Sequence, residues 1–164
     1  MIFPTNKPHI SYSEVKTWKE CPWRHKLMYV DKLETWEDNP YAEFGTIVHD
    51  TIEQYLKTGK MNTDTVESRL QEKWDEHGFD TAEYITKMTA QRRKFDLKYR
   101  HEKFSSWVES AHNILESIPS FMKENFGDWE YISAEEELYE PIDGHDLKFK
   151  GFIDAIIKSK INGK

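Results

Sequence analysis

Through most of the chain apolar residues return every three or four positions, and only near the end do they return every second one. Residues 1–10 read as an extended arm. Ser11-Tyr12-Ser13-Glu14 then fits a capping box, in which Ser11 accepts from the open amides and Glu14 reaches back. The helix it opens carries Val15 and Trp18 on one side and ends near Cys21. Pro22 suits the first turn of a second helix, whose stripe is Trp23, Leu27 and Val30 at i, i+4, i+7. Residues 31–42 read as a loop. A third helix is expected from about Phe44 to Leu56, stopped by Gly59, with Val48, Ile52 and Tyr55 facing a core. A fourth, capped by Asn62 or Thr63, places Val66, Leu70 and Trp74 at four-residue spacing and ends at Gly78. Asp80-Thr81-Ala82-Glu83 is a second capping box. It opens a long helical region to about Ser117, with Tyr84, Met88, Phe95 and Tyr99, then Trp107, Ala111, Ile114 and Ile118. Pro119 restarts or kinks that region and Gly127 closes it.

Trp129–Ile142 is loosely alternating and rich in β-formers, Asp143-Gly144 is a strong hairpin turn, and Lys148–Ile157 makes the return strand. The pattern predicts an α/β (α+β) chain of about five helices followed by one hairpin. It is expected to form a single domain over residues 1–164, helical over 1–127 and with the hairpin in 128–164.

Composition narrows the class. A length of 164 residues suits one domain with a real core, and six Trp, eight Tyr and nine Phe argue for a packed globule although 32% of residues are charged. The single cysteine, Cys21, excludes an internal disulfide and cannot alone hold zinc or an iron–sulfur cluster; it reads as a core packing residue in a reducing compartment. The longest apolar run, Ala155-Ile156-Ile157, is far short of a membrane span, and the first residues lack a signal-peptide core. A cytoplasmic protein with no membrane partner is expected. The net charge of −7 argues against a general nucleic-acid coat but leaves room for a local basic face.

Asp154 lies inside the apolar run Phe152-Ile153-Asp154-Ala155-Ile156-Ile157, which reads as a strand covered on both faces. A carboxylate there is costly unless it is paired or binds a cation; the plainer alternative is a strand-end Asp that starts a turn. Gly151, three residues earlier, leaves room for a close approach. Gly45, His49 and Glu53 recur at i, i+4, i+8 on one helix face. Gly45 would leave space beside the imidazole, and Glu53 could hold its second nitrogen, as carboxylates do behind metal-bound histidines. A lone helix histidine is also a common surface or core residue. Of Glu135, Glu136 and Glu137, strand alternation turns one side toward the strand of Asp154 and leaves the rest as a solvated face. Between Lys87 and Lys103 seven Lys or Arg stand against Asp96 and Glu102, a local balance of +5. Arg92, Arg93, Lys94, Lys98 and Arg100 form either a solvated helix face or a face that tracks phosphates, with Tyr99 and Trp107 nearby for stacking.

In combination these pieces resemble the RecB-type branch of the PD-(D/E)XK nuclease superfamily, which includes the AddB nuclease domain, CRISPR-associated RecB-like exonucleases and many phage exonucleases. Ser11-Tyr12-Ser13-Glu14-Val15, followed by Cys21-Pro22, resembles its "S-x-S-x-hydrophobic … C-P" opening. Gly45-Thr46-Ile47-Val48-His49 resembles its "G-x-x-hydrophobic-H" motif. Glu135 and Gly151-Phe152-Ile153-Asp154 resemble its "E … G-x-I-D" pair. The resemblance implies a restriction-endonuclease-like fold with His49 and Asp154 as ligands to Mg²⁺ or Mn²⁺, Glu135 as the acidic strand residue, and DNA as substrate. It also implies a role in repair, recombination or phage DNA metabolism, with a helicase or recombination protein as a possible partner.

Two departures qualify it. The family places acidic-x-Lys on the strand after the Asp strand, whereas here Ala155-Ile156-Ile157-Lys158 leads on to Asn162-Gly163 without one. The expectation is therefore a fragment of a longer nuclease, or a naturally split one, inactive by itself; the rest of the catalytic sheet is missing. The iron–sulfur variant needs four cysteines, so no cluster is expected. Two other readings stay open: a catalytically silent DNA-binding or assembly subunit on the same scaffold, and an unrelated helical interaction protein.

Overall fold

The computed structural model of the chain describes residues 5–33, 39–94 and 101–159, with the backbone alone at 93 and 94. The elements run in the order β1 (His9–Ser11), α1 (Tyr12–Glu20), α2 (Pro22–His25), a π-helical turn (Lys26–Val30), α3 (Pro40–Thr58), α4 (Val66–His77), α5 (Ala82–Lys94), α6 (Phe104–Phe126), β2 (Trp129–Pro141) and β3 (Lys148–Ser159). This is a mixed α/β chain, and it divides into two compact units. Unit 1 contains 1–37 and 132–158, and unit 2 contains 38–131 and 159–164.

Unit 2 holds the apolar core. Ile47 and Val48 of α3, Val66, Leu70 and Trp74 of α4, Phe79, and Trp107, Ala111 and Leu115 of α6 are buried together. Trp74 is its centre, with ring centroids 5.2 Å from Phe79, 5.7 Å from Phe104 and 5.4 Å from Trp107. Helix α3 starts earlier than expected because Asn39 Oδ1 accepts from Ala42 N at 3.0 Å and Pro40 sits in the first turn. Gly59 and Gly78 end α3 and α4 in the left-handed conformation, at φ 71° and 64°. On α4, Lys73 and the exposed Glu76 bond at 2.6 Å, which raises the lysine pKa and lowers that of the glutamate. Helix α6 runs through Pro119 without ending. Its buried stripe is Trp107, Ala111, Leu115 and Met122; Ile114, expected in the stripe, is 39% exposed.

Unit 1 is built differently. The sheet order is β1-β3-β2, and β1 runs parallel to β3 with Ile10 opposite Phe149. The arm before α1 thus contributes a short strand, because Lys148 N donates to Pro8 O at 3.2 Å. Ser11 caps α1 as expected, its hydroxyl accepting from Glu14 N at 3.3 Å. Glu14 does not reach back. Its side chain is buried, and Oε1 meets His25 Nε2 at 3.1 Å. The only other described residue of this unit as buried as these two is Thr5. Cys21 is not a core residue either: it is exposed, and its sulfur accepts from Arg24 N at 3.5 Å to cap α2. Val15, Trp18 and Trp23 are likewise exposed.

Candidate metal centre

In unit 1 the two strands of the hairpin carry the acids. β3 alternates: Ile153, Ala155 and Ile157 are half-buried, while Phe152, Asp154 and Ile156 are exposed. The expectation of a strand covered on both faces is overturned, because its apolar residues divide between two faces and Asp154 shares the open one. Gly151 does not serve a close approach, since a Cβ there would meet only Phe149 Cε1 at an ordinary 3.6 Å.

β2 alternates up to Ser133 and then changes phase at Ala134, both of them half-buried. The next residue, Glu135, has φ 53°, in the left-handed region that a non-glycine residue adopts only at a cost of about 1–2 kcal/mol. The strand behaves as one with a bulge at this point, a device that re-aims a side chain. Glu135 and Asp154 offer carboxylate oxygens within 4.8 Å of each other. Strand alternation leaves open which glutamate faces Asp154; the structure brings Glu135 to it. Glu137, two residues on, pairs instead with Lys150 Nζ at 2.6 Å.

In unit 2, α3 presents His49, Asp50 and Glu53, whose ligand atoms lie within 4.8 Å of one another. Helical spacing explains the pair His49 and Glu53. Asp50 was missed because the i, i+4 stripe skips it. Its Oδ2 receives Arg69 Nη2 at 2.5 Å, and Glu53 is bonded by Lys57 one turn on. The ammonium of Lys57 thus competes for the carboxylate expected behind His49. At Gly45 an added Cβ would meet nothing within 4 Å, so the glycine is not required sterically.

The basic stretch is only partly described. Arg92 is exposed on α5, the side chains of Arg93 and Lys94 lie outside the described residues, and so do Lys98, Tyr99 and Arg100. Trp107 cannot stack on a base: it is 7% exposed, against Tyr41, Phe44 and Trp74.

The order of these parts along the chain decides the family. The family model of the PD-(D/E)XK nuclease superfamily matches residues 9–163, from β1 past the end of β3. The chain belongs to that superfamily. No significant match is found among curated proteins or solved structures. PD-(D/E)XK proteins are nucleases and typically use divalent metals, and the donors here suit such an ion. Glu135 and Asp154 offer carboxylate oxygens within 4.8 Å of each other, the donor type that a hard divalent cation takes. No helix among the described residues is long and apolar enough to cross a membrane.

Proposed function

We propose that this PD-(D/E)XK chain is a metal-dependent deoxyribonuclease of the RecB type, acting as an exonuclease in DNA repair, recombination or phage DNA metabolism. The observation that carries the reading is the pairing of Glu135 with Asp154, made through a backbone conformation that glutamate avoids. Strain of this kind persists where function demands it.

In this reading Asp154 and His49 hold Mg²⁺ or Mn²⁺, with Glu135 as the second carboxylate. The family match spans all three. An imidazole beside carboxylates leans toward Mn²⁺, since oxygen-only sets are the usual choice of Mg²⁺. When bound, the ion supplies an activated water and neutralises charge on the leaving oxygen. Glu135 accepts a hydrogen bond from the incoming water and fixes its direction. Arg92 and the neighbouring cations, Arg93, Lys94, Lys98 and Arg100, contact the DNA backbone.

No acidic-x-Lys follows Asp154 within the 164 residues, so metal uptake is the primary readout and little or no cleavage is expected from this chain alone. Calorimetry with Mn²⁺ is expected to show one site in the wild type, weakened about tenfold or more in His49→Ala, Asp154→Ala and Glu135→Ala. Equal uptake in all four proteins would sink the site assignment. Cleavage of end-labelled DNA by the wild type but not by Asp154→Ala would extend the reading to turnover.

A further inference from the structure

The helices of unit 1 turn their large side chains outward. Tyr12 is 69% exposed, Trp18 57% and Trp23 64%, whereas the buried positions of α1 and α2 are the polar Glu14 and His25. This inverts an ordinary amphipathic helix, and the exposed side chains are not a mixed aliphatic set. On α1 and α2 they are three aromatic rings and Val15.

Cations are interleaved with the rings. Tyr12, Lys16 and Lys19 recur at i, i+4, i+7 and so share one stripe of α1, with Val15 and Trp18 in the adjoining row. On α2 and the turn after it, Lys26 Nζ stands 5.4 Å from the centroid of the Trp23 ring. From Tyr12 to Lys32 there are five Lys or Arg against three carboxylates, in a chain of net charge −7. One of those carboxylates, Glu14, is withdrawn from the surface by burial. Of the other two, Asp31 bonds Lys26 and Glu20 lies 3.9 Å from Lys16. Lys19 has no ion-pair partner among the described residues.

We propose that the outward face of α1 and α2 binds single-stranded nucleic acid, with Tyr12, Trp18 and Trp23 stacking on unpaired bases and Lys16, Lys19, Arg24 and Lys26 holding the phosphates. Flat rings accept any base through its π-face, and bases already stacked in a duplex offer no such face. The Lys and Arg interleaved with the rings complement a phosphate backbone, and that charge match is what favours a nucleic acid over an apolar protein groove. The proposal rests on the nuclease reading, because it describes how the strand to be cut, or its displaced partner, is held. It differs from the backbone contact assigned to Arg92 and its neighbours, which lie on α5 and in residues outside those described.

Fluorescence anisotropy with labelled oligo(dT) and oligo(U), in EDTA so that neither is cut, tests it. Trp18→Ala/Trp23→Ala is expected to raise the dissociation constant for oligo(dT) about tenfold or more, whereas Trp18→Phe/Trp23→Phe keeps it within about threefold. Both positions are exposed, so circular dichroism should match the wild type for each variant. Lys16→Gln/Lys19→Gln should flatten the slope of log affinity against log salt by about 1.4. An abasic strand of equal length should bind the wild type as poorly as oligo(dT) binds the double alanine variant. Oligo(U) binding as well as oligo(dT) makes the strand RNA or DNA alike; a preference for either names the source.

Unchanged affinity in the double alanine variant overturns the proposal. So does equal binding of the abasic strand, or a wild type that binds no oligonucleotide and instead self-associates or captures a protein through the rings. The outcomes separate the two readings. Loss of Mn²⁺ uptake as a property of the wild type, with ring-dependent binding intact, removes the nuclease site and leaves this surface. Metal uptake intact with ring-independent binding removes this surface alone.

Discussion

Glu135 combines an unusual backbone angle with a place in the candidate site. Its left-handed conformation spares glycine but strains glutamate. Glu135→Gly should therefore stabilise unit 1 by up to about 1 kcal/mol, visible as a higher urea midpoint, while Mn²⁺ uptake falls. A midpoint that drops instead would mean that the glutamate side chain holds the strand. Glu14 is the opposite case, a carboxylate kept inside by its partner His25 at 3.1 Å. Removing His25 leaves the buried carboxylate with Lys7 Nζ, 3.9 Å from Oε2, as a partial counter-charge. His25→Ala should destabilise by up to about 3 kcal/mol in urea unfolding, and Glu14→Leu/His25→Leu by much less. Equal losses would show that the pair matters only as packing. The capping-box pattern is sound at Ser11 yet says nothing of Glu14, because a side chain with a buried imidazole in reach gains more there than at the helix end.

At the level of elements, helices with a strong three-to-four periodicity were legible from residue pattern: α4 holds Val66, Leu70 and Trp74 as expected, and Gly78 ends it. Helix α6 was legible in extent but not in rotation. Ile114 and Leu115 are adjacent and equally apolar, so the pattern cannot choose between them; burial in the core of unit 2 does, with Leu115 at 0% exposure and Ile114 at 39%. Leu115→Ala should cost about 2–5 kcal/mol and Ile114→Ala less than about 1 kcal/mol, measured by thermal or urea unfolding. A reversed order would mean the stripe is misassigned. β1 was not legible, because three residues carry no period and their pairing with β3 is made by backbone atoms. The acids of the site were legible as candidates along the chain. The phase change in β2 just before Glu135 was not, since no residue type in Ala134-Glu135-Glu136-Glu137 announces it.

The whole molecule is uneven in what holds it together. Every buried apolar residue among those described belongs to unit 2, from Ile47 to Met122, whereas unit 1 buries Thr5, Glu14 and His25. Hydrogen exchange should reflect this, with the slowest amides in α3, α4 and α6 and markedly faster exchange in α1 and α2. Uniform protection across both units would contradict it. A unit with so little apolar burial has little stability to spare, and it still carries a glutamate at φ 53°. Variants screened only for yield or solubility should therefore drift at position 135 toward glycine or asparagine. Only selection on metal uptake at the proposed site would keep the acid in place. Among descendants of this chain, that single strand position would record which lineages had gone on using the proposed metal site and which had let it lapse.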